Sequence, residues 1–367
     1  MIAGVAFARF GHRLRRLLGG RRLPVWHDAR YRLAMASIES HTGLEPRRAD
    51  LVATYLLDRG IAIADDFQRP EPASYEAILR VHPQEWLEAL QDPAVLARVF
   101  AVEAADVHVD EALLTIRLAC GGTLAAAQRA RETSSPCLNL LGGFHHARPD
   151  RGASLCPLND IAIAVADLRA SGLDGMIAVI DLDAHPPDGT AACLGHDPRV
   201  WLGSISGCHW GPLDGVDETV LPPGAGDEVY LGALSSLLQR MPKAELACVI
   251  AGGDVLAGDK LGLLGLSLEG AMRRDRMVAD ALAGVGSVWL PGGGYHADAW
   301  RVLADTALVL ADESDVPVSE SYDGVRARFA RVAAELGPAD LSDTEITMED
   351  VLADLGMGPP RRRLLLG

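Results

Sequence analysis

The chain has 367 residues, 49% of them apolar and 23% charged, which excludes a disordered or fibrous protein and leaves room for one large α/β domain. Fifty acidic against 34 basic residues give a net charge of −16, a poor electrostatic match to a polyphosphate. Direct nucleic-acid binding is therefore not expected, and partners that are cationic or carry a cationic flank fit better.

The first segment, MIAGVAFARFGHRLRRLLGGRRLP (1–24), is Arg-rich and free of acids. It lacks the long apolar core and small-residue cleavage site of an export signal, so it reads as a basic N-terminal arm. Residues 25–367 read as a single domain, with the tail after about 340 peripheral. Apolar runs such as Ile161 to Val165 end far too soon to span a bilayer. The cysteines Cys120, Cys137, Cys156, Cys193, Cys208 and Cys248 form no CxxC pair, which points to free thiols in a reducing compartment, the cytoplasm.

From about Arg47 to Arg131 the pattern is mostly helical. ADLVATYLLDRG has apolar residues at helical spacing and a stop at Gly60, and PASYEAILRVHPQEWLEALQ and DEALLTIRLACGGTLAAAQRARE read the same way. After Pro136, short apolar runs (CLNLLGG, GMIAVIDLD, VWLGSIS, ELACVIAGG, GSVWLPGGG) alternate with helical segments such as DIAIAVADLRASG, DEVYLGALSSLLQRM and LEGAMRRDRMVADALAG. That alternation predicts a parallel sheet covered by helices on both faces, with any ligand at the carboxyl ends of the strands.

The polar clusters all follow such runs. In IDLDAHPPDG, Asp183 and His185 are two residues apart and project to one side, supplying O and N donors suited to a zinc site that keeps a position open. Acids crowded beside a histidine repel one another unless a cation sits among them. Asp254 in Gly252-Gly253-Asp254 repeats this context and is the candidate third ligand. His145-His146 could ligate a metal or pair as base and electrostatic partner, with Asp181 and Asp188 available, one for each ring. Pro291 to Gly294 permits close backbone approach, and Tyr295 could donate its phenol to a developing oxyanion. No dinucleotide fingerprint, P-loop, G-x-S-x-G or H-E-x-x-H is present.

Taken in order, GGFHHA, DLDAHPPDG, LPPGAGDEVYL, GGDVLAGDKLG and GGGY resemble the zinc-dependent histone deacetylase and acetylpolyamine amidohydrolase superfamily, from about Trp26 to about Leu310. GGFHHARPDRG and GDKLGLLGLSLEGAMRRD are most similar to the class IV deacetylases and their bacterial relatives. The resemblance implies an arginase-like α/β domain with a parallel sheet of about eight strands. It implies a single catalytic Zn²⁺ held by Asp183, His185 and Asp254, with His146 as general base and His145 as its partner. Asp181 would orient His145, Asp188 would orient His146, and Tyr295 would stabilise the oxyanion. A structural K⁺ would use Asp181 and Ser204. In the substrate tunnel, Ser154-Leu155-Cys156 stands where many members have Gly-Phe-Cys; Leu261 is aliphatic, and His209-Trp210 would supply the remaining ring.

The implied activity is removal of acetyl or longer acyl groups from lysine side chains of a protein or peptide. Because Leu155 removes an aromatic wall but leaves apolar volume, longer fatty acyl groups are expected to be processed at least as well as acetyl. The alternative is an acetylpolyamine or other small-amide amidohydrolase. An inactive binding module would predict a lost ligand or tyrosine, and none is lost. An arginase-like two-manganese site needs a DAHxD spacing that DLDAHPPDG lacks.

Overall fold

The computed structural model describes residues 22–336 except Ala34, Ala36 and Asp315, with only the backbone described over 330–336. The basic arm up to residue 21 and the tail after about 340 lie outside the described residues. Eight strands form one sheet: β1 (Val25–Trp26), β2 (Phe67–Gln68), β3 (Pro136–Asn139), β4 (Ile177–Asp181), β5 (Val200–Ser206), β6 (Val216–Val220), β7 (Leu246–Ile250) and β8 (Gly286–Leu290). Their order is β2-β1-β3-β8-β7-β4-β5-β6, and every pairing is parallel. The α/β class and the strand number match the expectation.

The strand period of two explains how helices come to cover both faces. Ala178 and Ile180 of β4, Ala247 and Val249 of β7 and Trp289 of β8 belong to one buried cluster. Helices α1 (Arg48–Arg59), α4 (Asp227–Arg240), α5 (Leu268–Ala281) and α6 (Ala299–Leu310) close it. The alternate residues Ile177, Val179, Leu246, Cys248, Ile250, Val288 and Leu290 form a second cluster under α2 (Val109–Thr133) and α3 (Asp160–Ala170).

Local signals behave as their chemistry requires. Gly60 ends α1 at φ +73°, donating its N–H to the Leu56 and Leu57 carbonyls. The 72–91 stretch is not one helix but two short ones, Tyr75–Leu79 and Gln84–Ala89, because Pro83 cannot continue the first and caps the second. Three strands escaped the sequence reading. β1 and β2 have two residues each, too few to show a period. VDETV (β6) is a half-exposed edge strand whose polar residues hide its character.

Candidate active site

The four central neighbours β3, β8, β7 and β4 each end in one of the polar motifs. Sheet order thus gathers residues 145, 183, 254 and 295, far apart in sequence, at one edge. Asp183 and His185 lie just beyond β4, and their convergence comes from the loop: Asp183 Oδ1 accepts the His185 backbone N–H at 3.0 Å. Glycine is needed opposite them. A Cβ on Gly293 would stand 2.8 Å from Asp183 Oδ2 and 2.6 Å from Asp254 Oδ2, and the Gly293 N–H donates to Asp183 Oδ2 at 2.6 Å. Behind the two ligand loops, buried Arg274 donates through Nη1 to the Gly252 carbonyl at 2.7 Å and to that of Leu182 at 3.4 Å.

Asp183, His185 and Asp254 each present one atom to a common centre, all within 4.8 Å of one another. His185 Nε2 donates to the Leu261 carbonyl at 3.2 Å, which leaves the Nδ1 lone pair facing Asp183 Oδ1 and Asp254 Oδ2, each at 3.0 Å. Three acceptors then converge in a buried place, an arrangement that needs a cation or a proton at its centre. In a chain without metal the proton does this work. Burial opposes charge on His185, but Asp183 and Asp254 hold it up to about 12. Burial and the Asp183 charge push Asp254 up to about 7. Despite its own burial, Asp183 is held well below the carboxylate range by His145 and His185. A two-oxygen, one-nitrogen set with room for a further ligand fits a zinc ion of the catalytic kind.

Each neighbouring imidazole has its own carboxylate. His145 Nδ1 pairs with Asp181 Oδ2 and His146 Nδ1 with Asp188 Oδ1, both at 2.8 Å. The ring centroids are 4.0 Å apart. Burial disfavours charge on His145, yet Asp181 and Asp183 hold it up to about 9. His146, buried and beside that charge, falls to about 4. The paired rings therefore differ in charge: His145 keeps a second proton, and His146 is neutral. Asp160 sets their approach, accepting the N–H groups of Gly143 at 3.0 Å and Phe144 at 2.7 Å.

Tyr295 is 8% exposed, and burial with the Asp183 and Asp254 charges lifts its phenol well above its ordinary value, so it stays a donor. It lines a cavity of about 50 Å³ with His145, His146, Asp183, His185, Ser154 and Leu155. Leu33, Leu44, Arg48 and Leu141 also border it, and the same four border a second cavity of about 20 Å³. Trp210 stacks on His146 at 5.1 Å and lies 6.0 Å from His185. His209 is exposed; its electrostatic neighbour is Glu218, and it does not border the cavity. Ser154 and Leu155 both adopt left-handed backbone, φ +47° and +66°, which glycine would take more readily. Ser204 pairs in register with Asp181 across β4 and β5, and its buried Oγ has no hydrogen-bond partner among the described residues.

Sequence reasoning did not single out Arg48, Asp160 or Asp259. Arg48, on α1, donates to the Gly292 carbonyl at 2.8 Å and the Gly293 carbonyl at 3.0 Å. It comes from the helical half of the chain, where nothing local distinguishes a buried arginine from a surface one. Asp259 sat inside a quoted motif, GDKLG, without a role.

Residues 42–310, well over half of the chain, match the family model for the histone deacetylase domain. The chain belongs to the histone deacetylase family. Similar proteins include Histone deacetylase 2 of Arabidopsis thaliana, 29% identical over 301 residues and covering 78% of each chain. A probable deacetylase of Archaeoglobus fulgidus is 29% identical over 281 residues, 69% of this chain and 77% of that one. Histone deacetylase 8 of Xenopus tropicalis is 25% identical over 336 residues, 82% and 88% of the two chains.

Proposed function

We propose that this histone deacetylase family member is a zinc-dependent amide hydrolase that removes acetyl or longer acyl groups from lysine side chains. The observation that carries the reading is the three-acceptor cluster of Asp183, His185 and Asp254 beside a neutral histidine and a protonated tyrosine. Asp183, His185 and Asp254 would hold the metal. When bound, zinc polarises the amide carbonyl and acidifies water. The His146 Nδ1–H is committed to Asp188, so Nε2 takes a proton from the attacking water and returns it to the leaving amine. His145, paired with Asp181, keeps its proton and keeps the His146 pKa low. Tyr295 donates to charge that develops on the carbonyl oxygen. The orphaned Ser204 Oγ beside Asp181 supports a K⁺ site there.

Two features bear on the substrate. Trp210, Leu261 and Leu263 are 50%, 44% and 49% exposed, and suit an acylated lysine on a larger chain better than a small polyamine. Leu33, Leu44 and Leu141, with Arg48, border both cavities and offer apolar surface for more than an acetyl group. Each further methylene buried there is worth about 0.8 kcal/mol. All six cysteines are free, which supports work in a reducing compartment such as the cytoplasm. No helix among the described residues is long and apolar enough to cross a membrane.

The test is kcat/KM of the zinc-loaded protein on one peptide bearing acetyl-, octanoyl- or myristoyl-lysine, with acetylputrescine alongside. Turnover of the peptides with kcat/KM sustained from acetyl to octanoyl is expected. A steady fall with chain length restores a plain deacetylase, and turnover of acetylputrescine alone overturns the lysine reading.

A further inference from the structure

Asp259 is a carboxylate beside the site that holds no metal in the arrangement above. It is 9% exposed, and three backbone N–H groups converge on it. Oδ1 accepts from Leu261 and Gly262, both at 2.9 Å. Oδ2 accepts from Tyr295 at 2.7 Å, across 36 residues of sequence. The loop it organises turns the Leu261 carbonyl onto His185 Nε2. That loop has no slack, since a Cβ on Gly262 would lie 1.8 Å from the Asp254 carbonyl oxygen. Tyr295 has the opposite problem. It follows three glycines, of which Gly292 and Gly294 have φ +52° and +146°, so its own backbone gives the phenol little direction. Its carbonyl is also close-packed, 2.8 Å from where a Cβ on Gly43 would stand.

We propose that Asp259 is a positioning residue for the hydrolysis, using one carboxylate to lock the Tyr295 backbone to the loop that fixes His185. The proposal rests on the reading that Tyr295 donates to the oxyanion. A charged acceptor shared by several N–H groups holds them closer than a neutral one. A reacting group displaced by about 1 Å can cost on the order of a hundredfold in rate.

The experiment is a double-mutant cycle of Asp259→Asn and Tyr295→Phe, reading kcat, KM, zinc content, melting temperature without metal, and affinity for a hydroxamate. Expected is a tenfold to hundredfold fall in kcat for Asp259→Asn, with KM, zinc content and melting temperature near wild type. Hydroxamate binding should weaken as it does in Tyr295→Phe, and in the Tyr295→Phe background the same change should have little further effect. Additive losses, wild-type kcat, or a fall explained by lost zinc or lowered melting temperature would each overturn the proposal. Full turnover by Tyr295→Phe alone instead overturns the oxyanion reading beneath it. Asp259→Glu keeps the charge and moves it, so it decides the matter if the asparagine variant does not fold. A kcat loss in folded Asp259→Glu supports the proposal, and unchanged kcat removes it.

Discussion

His146 shows how a single residue acquires its chemistry from neighbours. Burial and the charge on His145 both disfavour its protonation, bringing it to about 4, while Asp188 fixes which nitrogen carries the neutral proton. A base must be unprotonated to act, so activity should rise with pH through the folded value. The acid limb of kcat/KM should therefore lie well below the ordinary histidine value of 6.5. An acid limb at or above 6.5 would dissociate His146 from the base role. His146→Ala should lower kcat by roughly two to four powers of ten with zinc content unchanged. Asp183 and Asp254 act differently, since each supplies one corner of the acceptor cluster. Asp183→Ala or Asp254→Ala should empty the protein of zinc by metal analysis, and wild-type content in either would exclude that residue as a ligand.

Among the elements, the loop from Ala147 to Asn159 carries the Ser154-Leu155 wall and is pinned from outside the site. Buried His82 donates from Nδ1 to the Pro149 carbonyl and accepts the Asn159 N–H at Nε2, both at 2.9 Å. Its pKa is lowered, with burial the main cause. The unfolded chain then binds a proton that the folded one resists, so stability falls as pH drops below the unfolded value of 6.5. His82→Ala strands the buried Asn159 N–H, at roughly 1–3 kcal/mol, and removes the partner of the half-buried Pro149 carbonyl; it should also flatten that part of the stability–pH curve. Denaturant unfolding at pH 7.5 and 5.5 tests both, and an equal pH dependence in the variant would refute the account.

The element scale also shows what the sequence carries openly. Strand-then-acid patterns at β4 and β7 exposed the candidate ligands because buried parallel strands are apolar throughout and the chemistry begins where they stop. Arg48 and Asp259 stayed hidden because they act through backbone carbonyls and N–H groups, which leave no mark on residue identity. Of the His209-Trp210 pair, Trp210 is the one whose ring stacks on His146, because adjacent residues in a loop need not face the same way.

At the scale of the molecule, the sequence carries a net charge of −16, and the substrate proposed for it is an acylated lysine whose flanking residues can be basic. Association with a peptide flanked by Lys or Arg should be steered by this field and weakened by salt, since the screening length is about 10 Å at 0.1 M and about 3 Å at 1 M. kcat/KM should fall with ionic strength for basic-flanked peptides and hold or rise for acidic-flanked ones; equal responses would mean that the field does not reach the mouth.

The strand order has a consequence for synthesis. Among the described residues β8 is the last strand made, yet it lies in the middle of the sheet, between β3 and β7. Until residue 290 has left the ribosome, β3 and β7 each lack a neighbour, and Tyr295 has not emerged either. Contacts of such long range form slowly and late. A nascent or truncated chain ending before β8 carries Asp183, His185 and Asp254 without the Gly293 backbone packed against them. On the proposed reading, amide cleavage would wait until the segment that carries Tyr295 has joined the sheet.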